Sequence, residues 1–448
     1  QAARHLQARN ERLLNRLHPG YDRLITAFTR ADPLAEARRR FDLARWRAQT
    51  LDKGPGDKGP GDKGPGDKGA GKKGDRTKGA WDKPARDKTE SVILITHDDG
   101  GGVERQVGVS AAAHRAAGLR PIVLRPAQEP DGPAMVAIDG AAAGFPNLRY
   151  ALPRETPELL RLLRTANPRL LEVHHTLHHP PAIYDLVARL GLPYDVHIHD
   201  YAWFCPQVSL IGADRRYCGE PAVVRCEACV ADAGRIIDEA IGVQALRDRS
   251  AAFLAAARRV VAPSADAAAR MRRHFPQMRP AIVPLEDDGA VADPPRPRAR
   301  SGVCRVCMLG AISVHKGYDV LLACARDAAE RSLPLEFVVV GHTMDDARLL
   351  ATGRVFVTGR FAAEEAVPLI RAQDASVALL PSVWPETWSF ALTELWRAGL
   401  PVAAFDFGAP AARIRDTGRG FLLPLVLPPR GINNALVAAV GLAGHEGA

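Results

Sequence analysis

The sequence predicts an α/β protein of two parallel-sheet units that face each other across a cleft, with a helical segment and a linker ahead of them. Three observations predict it. After Glu90, a short apolar run, a loop and an amphipathic stretch recur many times, which is the pattern of buried strands alternating with covering helices. A Pro- and charge-rich segment, Glu286 to Arg300, interrupts that rhythm once and divides it in two. Between Leu51 and Glu90 lies a repeat of a different kind, with almost nothing to bury. In open parallel sheets ligands bind at the strand C-terminal ends, so two such units around a hinge imply a site between them.

Taken in order, residues 1–50 place Leu6, Leu13, Leu14, Leu17, Leu34, Phe41 and Trp46 at roughly helical intervals among many arginines. Two short amphipathic helices are expected there, broken near Pro19-Gly20 and Pro33. Residues 51–90 begin as Asp-Lys-Gly-Pro-Gly repeats. The glycine spacing alternates between two and three, so it lacks the every-third glycine of collagen and reads as a disordered, solvated linker. Residues 91–285 form the first unit, with candidate strands at Val92–Thr96, Pro121–Leu124, Leu171–His174, Asp195–His199 and Val260–Pro263, and a Cys-rich insertion at 200–232. After the hinge, 286–300, the second unit occupies 301–430. Its expected strands are Cys304–Leu309, Leu335–Val340, Val355–Thr358, Ser376–Leu380 and Val402–Phe405, with helices at Tyr318–Glu330 and Phe390–Ala398. Residues 431–448 are a helix or tail.

Composition excludes several classes. The 448 residues carry Lys+Arg 60 against Asp+Glu 51, a net charge of +9, which first suggests nucleic acid or an anionic surface. The distribution removes that reading. Residues 1–50 hold 11 arginines against 5 acidic residues, residues 51–90 hold 11 basic against 8 acidic, and residues 91–448 are neutral. Nucleic acid is therefore not the expected partner, and residues 1–50 are left with peripheral membrane or protein contact. No apolar run reaches the ~20 residues needed to span a bilayer, and Gln1–Arg12 has no signal-peptide core. A cytoplasmic address follows, with peripheral attachment at the inner membrane face as its variant. The missing initiator Met is consistent with a processed product or a module of a longer chain.

The strongest chemical signal is Pro385-Glu386-Thr387-Trp388-Ser389-Phe390, followed by Glu394 and Gly399-Leu400-Pro401-Val402. A helix starting near Ser389 turns its free N–H groups toward the loop holding Glu386 and makes an anion site. Glu394, about a turn further in, could accept hydrogen bonds from a pair of ribose hydroxyls. Alternatively, Glu386 caps a loop and Glu394 is a solvated helix residue. Upstream, Gly310 follows an apolar strand and Lys316-Gly317 opens another helix. Lys316 is the sole lysine in residues 91–448, and a lysine in a strand-to-helix loop is placed to neutralise a phosphate leaving group.

Together with Gly100-Gly101-Gly102-x-Glu104-Arg105 and His199-Asp200, these motifs resemble the retaining GT-B glycosyltransferases of glycosyltransferase family 4. The resemblance spans roughly 91–425, and Tyr217-Cys218-Gly219-Glu220-Pro221 is similar to the bacterial polysaccharide-assembly type. It implies two Rossmann-like domains, an acceptor domain at 91–285 and a nucleotide-sugar domain at 301–430. It also implies a nucleotide-sugar donor, a glycan or lipid-linked acceptor and no catalytic metal. His199, Lys316 and Glu386 would be the catalytic residues. Gly101, Gly102, Gly310, Ser389, Phe390 and Glu394 would bind donor. Two departures stand out. Ala311 replaces the Arg that commonly follows the loop glycine, for which Arg360 or Arg413 are candidates to compensate, and Arg413 itself stands near where many relatives have a glutamate. A non-catalytic nucleotide-sugar or glycan-binding module is the alternative reading.

Four cysteines, Cys205, Cys218, Cys226 and Cys229, lie within 25 residues. Cys226-x-x-Cys229 has chelating spacing, and the other two thiolates could complete a tetrahedral structural zinc; otherwise these are unrelated thiols in an irregular insertion. Cys304 and Cys307, three apart on an apolar strand, face opposite sides and are expected in the core. His174, His175, His178 and His179 suggest a second metal site only if a carboxylate accompanies them, and otherwise line the acceptor side of the cleft. Asp98-Asp99 is expected to stabilise the glycine turn or face the acceptor.

Overall fold

The computed structural model describes residues 2–50, 89–128, 134–139, 144–292 and 302–442. The repeat up to Lys88, most of the hinge and the last six residues lie outside the described residues. No helix among the described residues is long and apolar enough to cross a membrane.

The N-terminal segment forms α1 (Ala2–Leu17), α2 (Tyr21–Ala31) and α3 (Ala35–Thr50). The two predicted breaks divide it into three helices, not two. The third is docked. Trp46 is fully buried and its indole N–H donates to Asp139 at 2.8 Å, while Asp42 accepts from the Asn147 backbone N–H at 2.9 Å and side chain at 2.8 Å. Arg39 pairs with Glu155 at 2.8 Å. An aromatic anchor with its polar atom satisfied makes α3 part of the first unit.

That unit contains β1 (Ser91–Ile95), α4 (Gly101–Ala116), β2 (Arg120–Ala127), β3 (Met135–Ile138), β4 (Arg149–Ala151), α5 (Thr156–Thr165), β5 (Pro168–Val173), α6 (Ile183–Leu190), β6 (Tyr194–His197), α7 (Val223–Ala233), α8 (Val243–Ala256), β7 (Arg259–Ala262), α9 (Ala265–His274) and β8 (Ala281–Ile282). Its eight strands run β4-β3-β2-β1-β5-β6-β7-β8. All pairings are parallel except those of β3, which is antiparallel to both β2 and β4.

The second unit contains β9 (Cys304–Ile312), α10 (Tyr318–Glu330), β10 (Leu335–Thr343), α11 (Asp346–Leu350), β11 (Val355–Val357), α12 (Ala366–Ala372), β12 (Val377–Leu380), α13 (Phe390–Arg397), β13 (Val402–Phe405), α14 (Gly408–Thr417), β14 (Gly420–Leu423) and α15 (Pro429–Ala439). Its parallel sheet runs β11-β10-β9-β12-β13-β14. Alternation along β9 sends Cys304, Val306 and Met308 into the core shared with Leu321 of α10 and Leu436 of α15. Cys307 and Leu309 enter the core on the other face, with Ile370 and Leu395. Both thiols of Cys304 and Cys307 are buried, and burial pushes each up to about 12. The core placement expected of this pair holds.

The two sheets present their strand C-terminal ends to one another through direct contacts. Tyr201 donates to the Pro385 carbonyl at 2.7 Å, and Thr387 donates to the His199 carbonyl at 2.6 Å. Arg215 of the Cys-rich insertion pairs with Asp319 of α10 at 2.9 Å. These contacts join the loop after β6 to the loop after β12 and to the start of α10, so the cleft is where the sequence motifs converge.

Candidate functional site

Lys316 is set by a turn that only glycine permits. The Ser313 carbonyl accepts from the backbone N–H of Lys316 and of Tyr318. Gly317 has φ +85°, and a Cβ there would lie 2.1 Å from the Pro381 carbonyl oxygen. The Lys316 loop therefore presses against the loop after β12. Lys316 Nζ meets Glu386 Oε1 at 2.9 Å, and Ser382 donates to the same oxygen. Glu386 is only 2% exposed. Burial opposes its ionisation, but the Lys316 ammonium and the Ser382 hydroxyl outweigh burial and hold the carboxyl below its usual range. Glu386 is thus the buried counter-ion of Lys316.

Helix α13 starts at Phe390, where the sequence places it. Its cap, Ser389, has φ 95° and ψ 94°, a conformation that costs an L-residue on the order of 1–3 kcal/mol unless its surroundings hold it. Arg413 holds it. The guanidinium donates to the Ser389 carbonyl at 2.8 Å, to Asp288 through Nε at 2.8 Å and to Thr393 at 2.6 Å, and it stacks over Trp388 at 4.0 Å. Arg413 is 5% exposed. Its donors are spent on the hinge residue Asp288 and on α13. Arg360 is exposed just beyond β11, where Thr358 and Gly359 hydrogen-bond to β10, and it remains the candidate for that charge.

Glu394 faces the cleft, but its carboxylate is bound by Arg105 of α4 and by Arg397, each at 2.9 Å. Arg105 also reaches Glu286, at 2.9 Å, and lies 4.4 Å over the Phe390 ring. One guanidinium thereby ties α4, the start of the hinge and α13. Arg105 carries no expected role in the motif, although its position one turn into the helix opened by the glycine triplet points it out.

The glycines divide. Gly101 has φ +71° and open space beside it, whereas a Cβ on Gly102 would meet the Phe390 ring at 3.3 Å. Gly102 serves close packing across the cleft. Gly310 does not follow its strand but lies within β9, paired with Gly341. A Cβ on Gly341 would fall 2.1 Å from the Gly310 carbonyl oxygen.

On the opposite wall, His199 is partly buried, and burial together with neighbouring imidazoles holds it neutral, well below its usual value. His174 Nδ1 lies 3.1 Å from His199 Nε2. His175 pairs with Asp200 at 2.7 Å, and His179 hydrogen-bonds the Thr96 carbonyl at 2.8 Å. His178 pairs with Asp238 at 2.6 Å and with Asp99 at 3.1 Å. It borders a cavity of about 370 Å³ lined also by Thr176, Tyr184 and Arg249. Of the four histidines, only His178 and His179 reach that cavity; Asp99 supports His178, and Asp98 lies 3.6 Å from Arg125.

The four cysteines are not drawn into ligating geometry. Among the described residues, the one group of three or more ligand atoms within 4.8 Å of one another is Glu172, His174 and His197. Cys226 donates to the Pro221 carbonyl at 3.5 Å and accepts from Arg247 at 3.5 Å, and burial pushes the Cys205 thiol up to about 12. The insertion is anchored instead by Glu220, which takes Arg270, Arg273, His274 and Tyr217. Burial opposes the charge on Glu220, but those donors bring its pKa down to about 2. A buried ionic cluster therefore anchors the insertion whether or not its thiols take a metal.

Residues 304–441 match the family "Glycosyl transferases group 1". The match covers the β9–α15 unit, including Lys316, Glu386 and Glu394. No curated protein matches the chain. Among solved structures, TarM is 9% identical over 79% of this chain and 92% of its own, with a TM-score of 0.51. Sucrose-phosphate synthase from Thermosynechococcus elongatus is 15% identical over 79% and 90%, with a TM-score of 0.49. Anabaena HepE, solved with UDP and glucose, is 13% identical over 79% and 90%, with a TM-score of 0.45. The fold of this chain is that of GT-B glycosyltransferases.

Proposed function

We propose that this protein is a retaining glycosyltransferase that moves a sugar from a nucleotide-sugar donor to a glycan or lipid-linked acceptor in cell-surface polysaccharide synthesis. The observation that carries the reading is the convergence of Lys316, Glu386 and the α13 N-terminus on the His199 loop, inside a domain matched by a glycosyltransferase family. In the reaction the bond from the anomeric carbon to the diphosphate oxygen breaks, a bond to the acceptor oxygen forms on the same face, and the acceptor proton passes to the departing diphosphate. The charge that grows on the diphosphate is met by the Lys316 ammonium and by the N–H groups of Ser389 and Phe390, with no metal required at that point. Glu386 holds the ammonium until the diphosphate takes it, which frees the carboxylate toward the donor sugar. Glu394 binds the ribose once Arg105 releases it, Gly101 lets backbone approach the phosphates, and His199 contacts the sugar. The cavity beside His178 receives the acceptor.

A binding module without turnover is the second reading, favoured by Ala311 and by the engagement of Glu394 with Arg105. Incubation with UDP-, GDP- and dTDP-sugars separates the two. Time-dependent release of nucleoside diphosphate with one of them is expected, and saturable binding without release would establish the module instead.

A further inference from the structure

We propose that Glu172, His174 and His197 bind one divalent transition-metal ion of the zinc class, in a polar seam inside the first unit. The seam follows from register. Parallel pairing of β5 with β6 sets Glu172 beside Asp195 and Val173 beside Val196. Just beyond the paired residues the His174 ring stacks on that of His197, and alternation puts His174 on the same face as Glu172. The outcome is one carboxylate oxygen and two imidazole nitrogens, all within 4.8 Å of one another. Donors about 2.0–2.2 Å from a shared ion need little inward movement from that arrangement.

Two further observations point to an ion. His197 Nε2 is buried without a hydrogen-bond partner, a loss that a hydrogen-bonded cluster alone does not repair. The outer contacts are also those that orient metal ligands. Ser110 donates to Glu172 Oε2, His114 Nε2 lies 2.7 Å from Glu172 Oε1, and His174 Nδ1 lies 3.1 Å from His199 Nε2, so the far side of each of these two ligands is fixed by a second residue. The rings of His174 and His197 are stacked at 4.5 Å with 12° between their planes. Two imidazoles and one carboxylate favour zinc, cobalt or nickel over magnesium or calcium. The carboxylate that the histidine run lacked is therefore two residues upstream of it. With Nε2 on the ion, the His174 proton sits on Nδ1 and donates to His199, so the ion acts as a structural brace behind the cleft and not at the diphosphate.

The test uses the full chain, stripped with chelator and titrated with Co²⁺. The expected result is one equivalent bound, with visible d–d absorption and none of the intense near-ultraviolet thiolate charge transfer. That spectrum is retained in Cys226→Ser and lost in His197→Gln and Glu172→Gln. Absence of d–d absorption, a thiolate band that disappears in Cys226→Ser, or a spectrum unchanged in His197→Gln would overturn the site. Should the histidine variant not fold, X-ray absorption of the zinc-loaded wild type decides. A first shell of nitrogen and oxygen with imidazole outer-shell scattering supports the site, and sulfur at about 2.3 Å contradicts it.

Discussion

Lys316→Ala is expected to lower sugar transfer by at least ~100-fold, the cost of removing a preorganised charge from a developing oxyanion. No other lysine occurs in residues 91–448, and Arg413 is committed to Asp288 and Ser389, so neither takes over. The substitution also strips the buried Glu386 of its cation. Because Lys316 keeps about a third of its side chain in solvent, the stability loss should fall at the low end for a broken buried pair, about 1–3 kcal/mol. Glu386 has a depressed pKa in the folded state, so its ionic contribution is complete above the unfolded value and disappears as pH falls through the folded one. At neutral pH the variant therefore feels the whole loss. Steady-state transfer combined with a urea melt separates the two effects. A folded variant with turnover within tenfold of wild type removes Lys316 from the site.

Arg413→Ala is expected to destabilise the fold by about 3–5 kcal/mol, since it leaves the Asp288 carboxylate, the Ser389 carbonyl and the Thr393 hydroxyl without their donor beneath Trp388 and Trp396. The loss reaches the site through geometry. Ser389 stands at φ 95°, and without Arg413 the turn relaxes and the first N–H groups of α13 rotate from the cleft. Arg413→Lys should recover only part of the stability, because a single ammonium cannot reproduce the forked contacts to Asp288. Equilibrium urea unfolding measures both variants; a loss below ~1 kcal/mol for the alanine variant contradicts this role.

Particular residues show what was legible beforehand. Helix α10 occupies Tyr318–Glu330 as expected, and α13 opens at Phe390, because a glycine or serine turn before a periodic apolar run is a local signal. β9 continues to Ile312, past the predicted end at Leu309, since pairing with β10 carries it through Gly310. Strands β3, β4, β8 and β14 lie outside the expected set: each has four residues or fewer, and short strands at the margins of a sheet carry little local mark. At the site, Lys316, Glu386 and Ser389 were visible because they share loops with glycines and a helix start. The partners were not. That Arg105 holds Glu394, 289 residues away, and that Arg413 holds Asp288, 125 residues away, are matters of tertiary placement. The same limit hid Glu172, whose link to His197 is set by strand register.

Every role proposed for the cleft depends on where a nucleoside diphosphate binds. A structure of the full chain soaked or co-crystallised with the diphosphate it binds tests this most directly. The predicted result places the phosphates between Lys316 and the N–H groups of Ser389 and Phe390, with the ribose on Glu394 and Arg105 displaced from that carboxylate. A diphosphate bound elsewhere, with Lys316 still on Glu386 and Arg105 still on Glu394, would contradict it.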